Sequence, residues 1–248
     1  MAESLTNPGI FMPLIHYLPL LLLITAGMLI SIKAGKLTPT GAMTGGAIAI
    51  LTFTGAGYTG VIMLSAFFIF GTAATAWKKK EKQQFKSAAD RSSKRNAGQV
   101  LANGGVAAIA GLLIYILPAR AELLRLMMAA SLASAMADTL SSELGMIYGR
   151  RFYNVITFKR DKKGLDGVIS MEGLLIGIIG SALIALIYAF GFGWDVRILF
   201  IIIAGTIGNL SDSVLGALLE RKHYIGNDAV NFSNTLVAAL SIWLFVTF

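Results

Sequence analysis

Eight stretches of about twenty predominantly apolar residues run through this 248-residue chain. A helix needs about this length to cross the hydrocarbon core of a bilayer. The second and third stretches are separated only by Gly55-Ala56-Gly57-Tyr58, so seven helices is the alternative count. The sequence therefore predicts an all-α, polytopic membrane helix bundle that forms one integral membrane domain over residues 1–248. The eight predicted spans are residues 14–32, 37–55, 58–76, 98–117, 123–140, 171–190, 197–219 and 229–247.

The composition excludes several other classes of protein. Only 14% of the residues are charged, whereas soluble domains carry about 25%. The absence of cysteine excludes disulfides, thiolate catalysis, iron–sulfur clusters and cysteine zinc sites. The two histidines, His16 and His223, lie far apart in the sequence, which excludes a histidine metal cluster. No P-loop and no protein-kinase motif set occurs.

The basic residues follow the predicted topology. With eight spans, Arg120, Arg125 and Arg197 fall on one side of the membrane, and the remaining 18 of the 21 lysines and arginines fall on the other. Cytoplasmic loops carry such an excess of positive charge. We therefore expect a basic cytoplasmic loop at about 77–96, external termini, a retained first helix and a location in the cell membrane. The loops have no features of a nucleic-acid-binding fold.

Acids and amides interrupt the apolar stretches at four places, all at the predicted cytoplasmic ends of helices. A carboxylate near the bilayer centre costs about 2.5–3.5 kcal/mol, so such residues are rarely retained for packing alone. Because the four clusters converge on one face of the membrane, they predict one shared polar site. Hydrogen bonding between helices is the alternative for the serine, threonine and asparagine residues. The clusters lie at residues 96–105, 137–145, 208–220 and 227–231.

Helical spacing supports a cation site. Asn209 and Asp212 are three residues apart, and Asp138 and Ser142 are four apart, so each pair shares a helix face. Oxygen ligands without histidine or cysteine suit a hard cation such as Mg²⁺. Separately, Gly164 and Gly167 follow a run of lysines, and backbone amides exposed by glycine can bind phosphate.

Several motifs, in order, resemble one family of integral membrane proteins. They are GKLTPTGAMTGG (35–46), GQVLANGG (98–105), ADTLSSELG (137–145), GLDGVIS (164–170) with Glu172-Gly173, and NLSDSVLGALLE (209–220) followed by Asp228 and Asn231. The family includes the plant phytyl-phosphate kinase and animal transmembrane protein 19. Leu140 and Leu165 depart from the family pattern, which has an aromatic residue and threonine at these positions.

The resemblance implies an enzyme activity and a set of site residues. The implied reaction transfers the γ-phosphoryl group of a nucleotide, CTP rather than ATP, to a polyprenyl monophosphate such as phytyl, farnesyl or geranylgeranyl phosphate. Asp138, Glu143 and Asp212 are the expected catalytic carboxylates and Mg²⁺ ligands. The residues expected to bind the nucleotide or the phosphates are Arg95, Gln99, Asn103, Ser142, Lys159, Lys162, Gly164, Gly167, Asn209, Ser213, Asp228 and Asn231.

Three alternatives remain at this point. A lipid-alcohol kinase or a CTP-dependent cytidylyltransferase would use the same site, whereas an ion-coupled transporter would place its acids at membrane depth, with access from both sides. An alcohol kinase needs a general base, and His223 is the one candidate, although a solvated loop position suits it better. The expected partners are therefore the lipid bilayer, a nucleoside triphosphate and a prenyl phosphate, and assembly as a homo-oligomer is left open.

Overall fold

The computed structural model describes residues 17–85 and 94–247, which fold almost entirely into helices. A short antiparallel hairpin of β1 (Tyr153–Asn154) and β2 (Val168–Ile169) interrupts the helical order, and a π-helical turn, Gly216–Glu220, follows α7. The all-α prediction is therefore confirmed. The helices are α1 (Leu18–Lys33), α2 (Pro39–Ala76), α3 (Lys79–Gln83), α4 (Ala97–Ile116), α5 (Ala121–Tyr148), α6 (Met171–Phe192), α7 (Arg197–Leu215) and α8 (Asn227–Thr247).

Among the described residues, six helices are long and apolar enough to cross a membrane, judged by length and composition. They are α2, α4, α5, α6, α7 and α8, two of them extended by short turns at their ends. α1 is a shorter apolar helix of 16 residues. The first predicted span begins at residue 14, and its first three residues lie outside the described ranges, as do residues 86–93 of the predicted basic loop.

α2 consists of two antiparallel segments, which we name α2a (39–56) and α2b (58–76). Gly57 joins them with φ 59° and ψ −149°, a conformation that glycine adopts without steric cost. A straight helix of 38 residues would be about 57 Å long. Instead, Lys36 and Lys79, at the two ends of α2, line the same pocket. Without the five-residue α3, the described residues thus form eight helical segments once α2 is divided in two, the number that the eight-span prediction gives.

α5 is the central helix of the bundle and packs against α2, α4, α6, α7 and α8. Ala129, Ala130 and Ala133 are fully buried along it, and such small residues allow helices to approach closely. α5 continues to Tyr148, whereas the predicted span ends at residue 140. Asp138 and Glu143 therefore lie within the last turns of a helix and have fixed positions on its surface.

The two ends of the bundle differ in charge. The basic end contains Lys36, Lys79 and Arg95, together with the longer connections between helices. At the opposite end, Arg125 Nε donates to the carbonyl of Gly55, 3.2 Å away, beside the reversal of α2. Arg197 also lies at the opposite end, where it pairs with Glu122 at the start of α5 and with Asp195. The chain thus separates its basic residues between the ends as the alternating topology requires.

Single cysteines test which end faces the cytoplasm, because the chain has no cysteine of its own. Lys222 follows the π-helical turn at the basic end, Arg120 precedes α5 at the opposite end, and both are exposed. In right-side-out vesicles, a membrane-impermeant maleimide should label Arg120→Cys and spare Lys222→Cys, because positively charged loops stay inside. Inverted vesicles should give the reverse pattern. Labelling of Lys222→Cys from the outside would contradict the predicted orientation.

Candidate functional site

A polar pocket of about 330 Å³ lies at the basic end, between α2b, α4, α5, α8 and the connection from α5 to α6. The structure brings many of the predicted site residues into its wall. Lys36, Lys79, Asp166 and Asn227 also line it, so basic and acidic groups face the same space. The predicted residues in the wall are Arg95, Gln99, Asn103, Asp138, Ser142, Glu143, Gly164 and Asn231.

Two short segments pair at the edge of this pocket and align two helix N-termini. The backbone N–H of Arg95 donates to the Lys36 carbonyl at 2.9 Å, and the N–H of Thr38 donates to the Arg95 carbonyl at 3.0 Å. Thr38 caps α2a, and Asn96 with Gln99 forms a capping box at the start of α4. The partial positive charge of helix N-termini favours anions, so this edge of the pocket suits phosphate.

Arg95 is a basic side chain close enough to Glu143 and Asp138 to interact with their charges. Its guanidinium lies over the ring of Phe67, 5.6 Å from the ring centre. Burial lowers the pKa of Arg95, and the carboxylates of Glu143 and Asp138 oppose that shift. A Cβ atom at Gly71 would lie 3.3 Å from the guanidinium and 3.3 Å from Thr139. Glycine at position 71 therefore leaves space for Arg95 to reach the pocket.

Asp138 on α5 and Asp212 on α7 form a pair of carboxylates within hydrogen-bonding reach of each other. Asn234 Nδ2 donates to Asp212 Oδ1 at 2.6 Å, and Asn234 Oδ1 accepts from the hydroxyl of Ser134 at 3.0 Å. Asn234 is completely buried. Two adjacent carboxylates repel each other unless a cation or a proton lies between them. The pair therefore fits one side of a Mg²⁺ site that other oxygen ligands complete.

Glu143 has a different environment from the other two acids. Its Oε2 accepts from Lys82 Nζ at 2.5 Å, and Lys82 also donates to the carbonyls of Ala74 and Thr75 at 2.7 and 3.1 Å. Within residues 17–85 and 94–247, no group of three or more His, Cys, Asp or Glu residues is placed to hold a metal ion. The predicted trio is therefore not assembled as one ligand set, because Glu143 lies in a buried ion pair that attaches α3 to α5.

The connection between α5 and α6 lies against the pocket. Gly164, with φ 83°, touches Phe85 and lines the pocket, while Gly167, with φ 74°, lies against Ala217 of the π-helical turn. Arg221 Nη1 donates to Asp161 Oδ2 at 2.7 Å. This hydrogen bond lowers the pKa of Asp161. These contacts fix the position of the GLDG turn, and Asp166 of that turn reaches the pocket.

The structure does not place the other predicted residues in the pocket wall. Lys159 and Lys162 are exposed and lie outside the wall of the pocket. Asn209 is buried next to Gly177 on α6, and the Ser213 hydroxyl donates to the Asn209 carbonyl at 3.4 Å. Asp228 lies beside Gly98 at the start of α4.

Several residues of the site are absent from the set of predicted site residues, although most of them lie in or near its motifs. One of them is Asn227, which directly precedes Asp228. Lys36 is part of GKLTPTGAMTGG, Asp166 is part of GLDGVIS, and Asn234 is three residues after Asn231 on the same helix face. Lys79 is one of eight basic residues in the loop at 77–96, and nothing in the sequence distinguishes it from the others.

An apolar cavity of about 350 Å³ adjoins the polar pocket. It lies between α1, α2a, α2b and the first turns of α4. Arg95, Gln99 and Asn103 line both spaces and form their shared wall. An amphiphilic molecule with an anionic head can therefore contact both spaces at once.

Comparison with known proteins agrees with this architecture. The family model described as Integral membrane protein DUF92 matches residues 22–239, which is most of the chain. The chain belongs to this integral membrane family. It is thus a multi-pass membrane protein, and its motif-based family resemblance is confirmed. No solved structure matches it.

Relatives of this DUF92 protein come from plants, bacteria and archaea. It is 30% identical to Protein VTE6, chloroplastic, of Arabidopsis thaliana, over 86% of this chain and 68% of the plant protein. It is 32% identical to an uncharacterized membrane protein of Synechocystis, over 82% of this chain and 80% of the relative. Its identity to an uncharacterized membrane protein of Methanocaldococcus jannaschii is 35%, over 74% and 75% of the two chains.

Asn234 allows a test of the hydrogen bonds that hold Asp212. Asn234→Ala should destabilise the detergent-solubilised protein by about 1–3 kcal/mol, because buried polar atoms of Asp212 and Ser134 lose their partner. Thermal unfolding measures the change. The control is Ser233→Ala, whose hydroxyl donates to the Ala229 carbonyl of its own helix. Equal unfolding temperatures for the two variants would contradict a role for Asn234 in holding Asp212.

Proposed function

We propose that this protein transfers the γ-phosphoryl group of a nucleoside triphosphate, preferentially CTP, to a polyprenyl monophosphate. The observation that carries the proposal is the shared wall of Arg95, Gln99 and Asn103, where a pocket with charges of both signs meets an apolar cavity. Such a junction suits a substrate with a phosphate head and an isoprenoid tail. The motif resemblance to prenyl-phosphate kinases and the similarity to a chloroplast protein support the same reaction.

The transfer needs charge neutralisation more than proton removal. A phosphate monoester is already largely dianionic at pH 7, because its second pKa is about 6. Its oxygen attacks the γ-phosphorus, the bond from that phosphorus to the β–γ bridging oxygen breaks, and the nucleoside diphosphate leaves. In our proposal, Lys36, Lys79 and Arg95 neutralise the two anionic groups and hold them next to each other, which is the main contribution of proteins to this chemistry.

Asp138 and Asp212 are the residues that would hold Mg²⁺. Their adjacent carboxylates supply hard oxygen ligands, and Asn234 keeps Asp212 in place. When bound, Mg²⁺ would neutralise part of the negative charge of the triphosphate, in addition to the charge that the lysines and the arginine neutralise. We further propose that the pocket faces the cytoplasm, where nucleotides are available, because the loops at this end carry most of the positive charge.

The acids are the first test of this function. Asp138→Asn and Asp212→Asn should each reduce turnover of CTP and farnesyl monophosphate at least 100-fold, because charged metal ligands are lost. Diphosphate product is measured with purified protein in detergent, and thermal unfolding reports whether each variant is folded. The matched control is Asp195→Asn, at the opposite end of the bundle. Near-normal activity in the Asp138 or Asp212 variant would remove that residue from the proposed site.

The acceptor test separates the proposed reaction from its alternatives. We expect prenyl monophosphates to be phosphorylated and free prenols to remain unchanged, because the pocket offers cations and His223 is an exposed loop residue outside its wall. Lys36→Gln combined with Lys79→Gln should lower kcat/KM for the monophosphate about tenfold or more, by loss of charge neutralisation. The matched control, Lys159→Gln combined with Lys162→Gln, removes the same charge outside the pocket.

Other product patterns would indicate a different function. Efficient phosphorylation of a free prenol, with a large loss in His223→Ala, would indicate an alcohol kinase. A cytidylylated lipid with release of pyrophosphate would indicate a cytidylyltransferase. Absence of nucleotide turnover, together with cation uptake into proteoliposomes, would indicate a transporter.

A further inference from the structure

The apolar cavity extends into the bundle from the level of Arg95 toward the Gly57 reversal. On α2b, its wall includes residues from Val61 to Ile69, a span of about 12 Å along the helix axis. Val61 and Ala49 are both buried, and in their helices they are the lining residues farthest from the basic end. They therefore form the far end of the cavity.

One side of the cavity opens toward the lipid. Ile30 on α1 and Ile69 on α2b line the cavity and are 66% and 62% exposed. α1 packs mainly against α2, and the exposed lining residues on these two helices mark a lateral entrance to the cavity. A tail can therefore enter from the bilayer without passing through water.

The cavity has limited capacity. A methylene group takes up about the same volume as a water molecule in the liquid, roughly 30 Å³. A volume of about 350 Å³ then holds about a dozen carbon groups, which corresponds to two or three isoprene units. Longer tails must extend through the lateral entrance into the lipid.

We infer that this cavity binds the isoprenoid tail of the acceptor and that Val61 and Ala49 determine how much of the tail it encloses. The inference rests on the proposed function and adds to it the tail site and the residues that set chain-length preference. The shared wall supports this occupant, because Arg95 and the amides of Gln99 and Asn103 lie where an anionic head group would end.

The kinetic experiment compares geranyl and farnesyl monophosphate as acceptors. In the wild-type protein, farnesyl monophosphate should have the higher kcat/KM, because its extra isoprene unit is enclosed. Val61→Phe should lower the ratio of farnesyl to geranyl kcat/KM about tenfold by filling the far end, while turnover of the geranyl substrate is retained. Ala49→Leu, at the lining residue of α2a farthest from the basic end, should lower the same ratio if Val61→Phe fails to fold.

Matched controls lie next to both positions. Ile62→Phe adds a ring next to Val61, at a residue that is 52% exposed and outside the cavity wall. Ala47→Leu is the matching control for Ala49→Leu, because Ala47 is two residues away, exposed and outside the wall. Neither control should change the ratio. An unchanged ratio in the folded Val61 and Ala49 variants, or an equal change in the controls, would overturn the inference.

A binding experiment separates this inference from the proposed function. Purified protein is irradiated without nucleotide, in the presence of farnesyl monophosphate carrying a diazirine at the tail end, and the adducts are mapped by mass spectrometry. Adducts on residues lining the cavity, reduced by unlabelled farnesyl monophosphate but not by phosphatidylcholine, are the expected result. Such labelling without turnover would leave the tail site standing and reject the kinase. Turnover with labelling elsewhere, or labelling that phosphatidylcholine removes, would reject the tail site.

Discussion

A chain in hydrocarbon must satisfy its own backbone hydrogen bonds, and this constraint determines where a site can form. Irregular backbone is therefore concentrated at the ends of the bundle. The longer connections, the β1–β2 hairpin, the paired segments at Lys36 and Arg95 and the π-helical turn all lie at the basic end. Polar side chains on the last turns of α5 and on the first turns of α4 and α8 meet these connections there. The position of the pocket follows from this constraint.

Charge pairing then divides the acids at the basic end into two groups. Glu143 with Lys82, and Asp161 with Arg221, are pairs of opposite charge that attach α3 and the α5–α6 connection to the bundle. Asp138 and Asp212 instead adjoin each other, an arrangement that lowers stability unless a cation or a proton lies between them. Acids in membrane helices are rarely retained for packing alone, so this pair is a candidate for function. The same neighbourhood therefore contains structural acids and candidate functional acids.

Much of the fold could be predicted from the sequence because membrane helices are specified by length, hydropathy and loop charge. The reversal within α2 could be placed at the Gly55–Tyr58 break for the same reason. The helical motifs also bring many of the predicted side chains together, since residues on one helix face stay together after folding. Features that depend on tertiary contacts could not be predicted. Sequence spacing cannot reveal that Glu143 contacts Lys82, that Lys159 and Lys162 lie outside the pocket wall, or which lysine of the long basic loop reaches the pocket.

The apolar cavity and the polar pocket are built largely by different helices of the bundle. α1, α2a and α2b build the apolar cavity, whereas α5, α7 and α8 hold the Asp138–Asp212 pair and its hydrogen bonds. α4 borders both, and its capped N-terminal end carries Gln99 and Asn103, on its first and second turns, at the junction. Under the proposed function, a lipid acceptor enters from the bilayer and a nucleotide from water, and their phosphates meet at this turn. A rigid N-terminus at the junction fixes the distance between the two substrates, which is what in-line phosphoryl transfer requires of a protein.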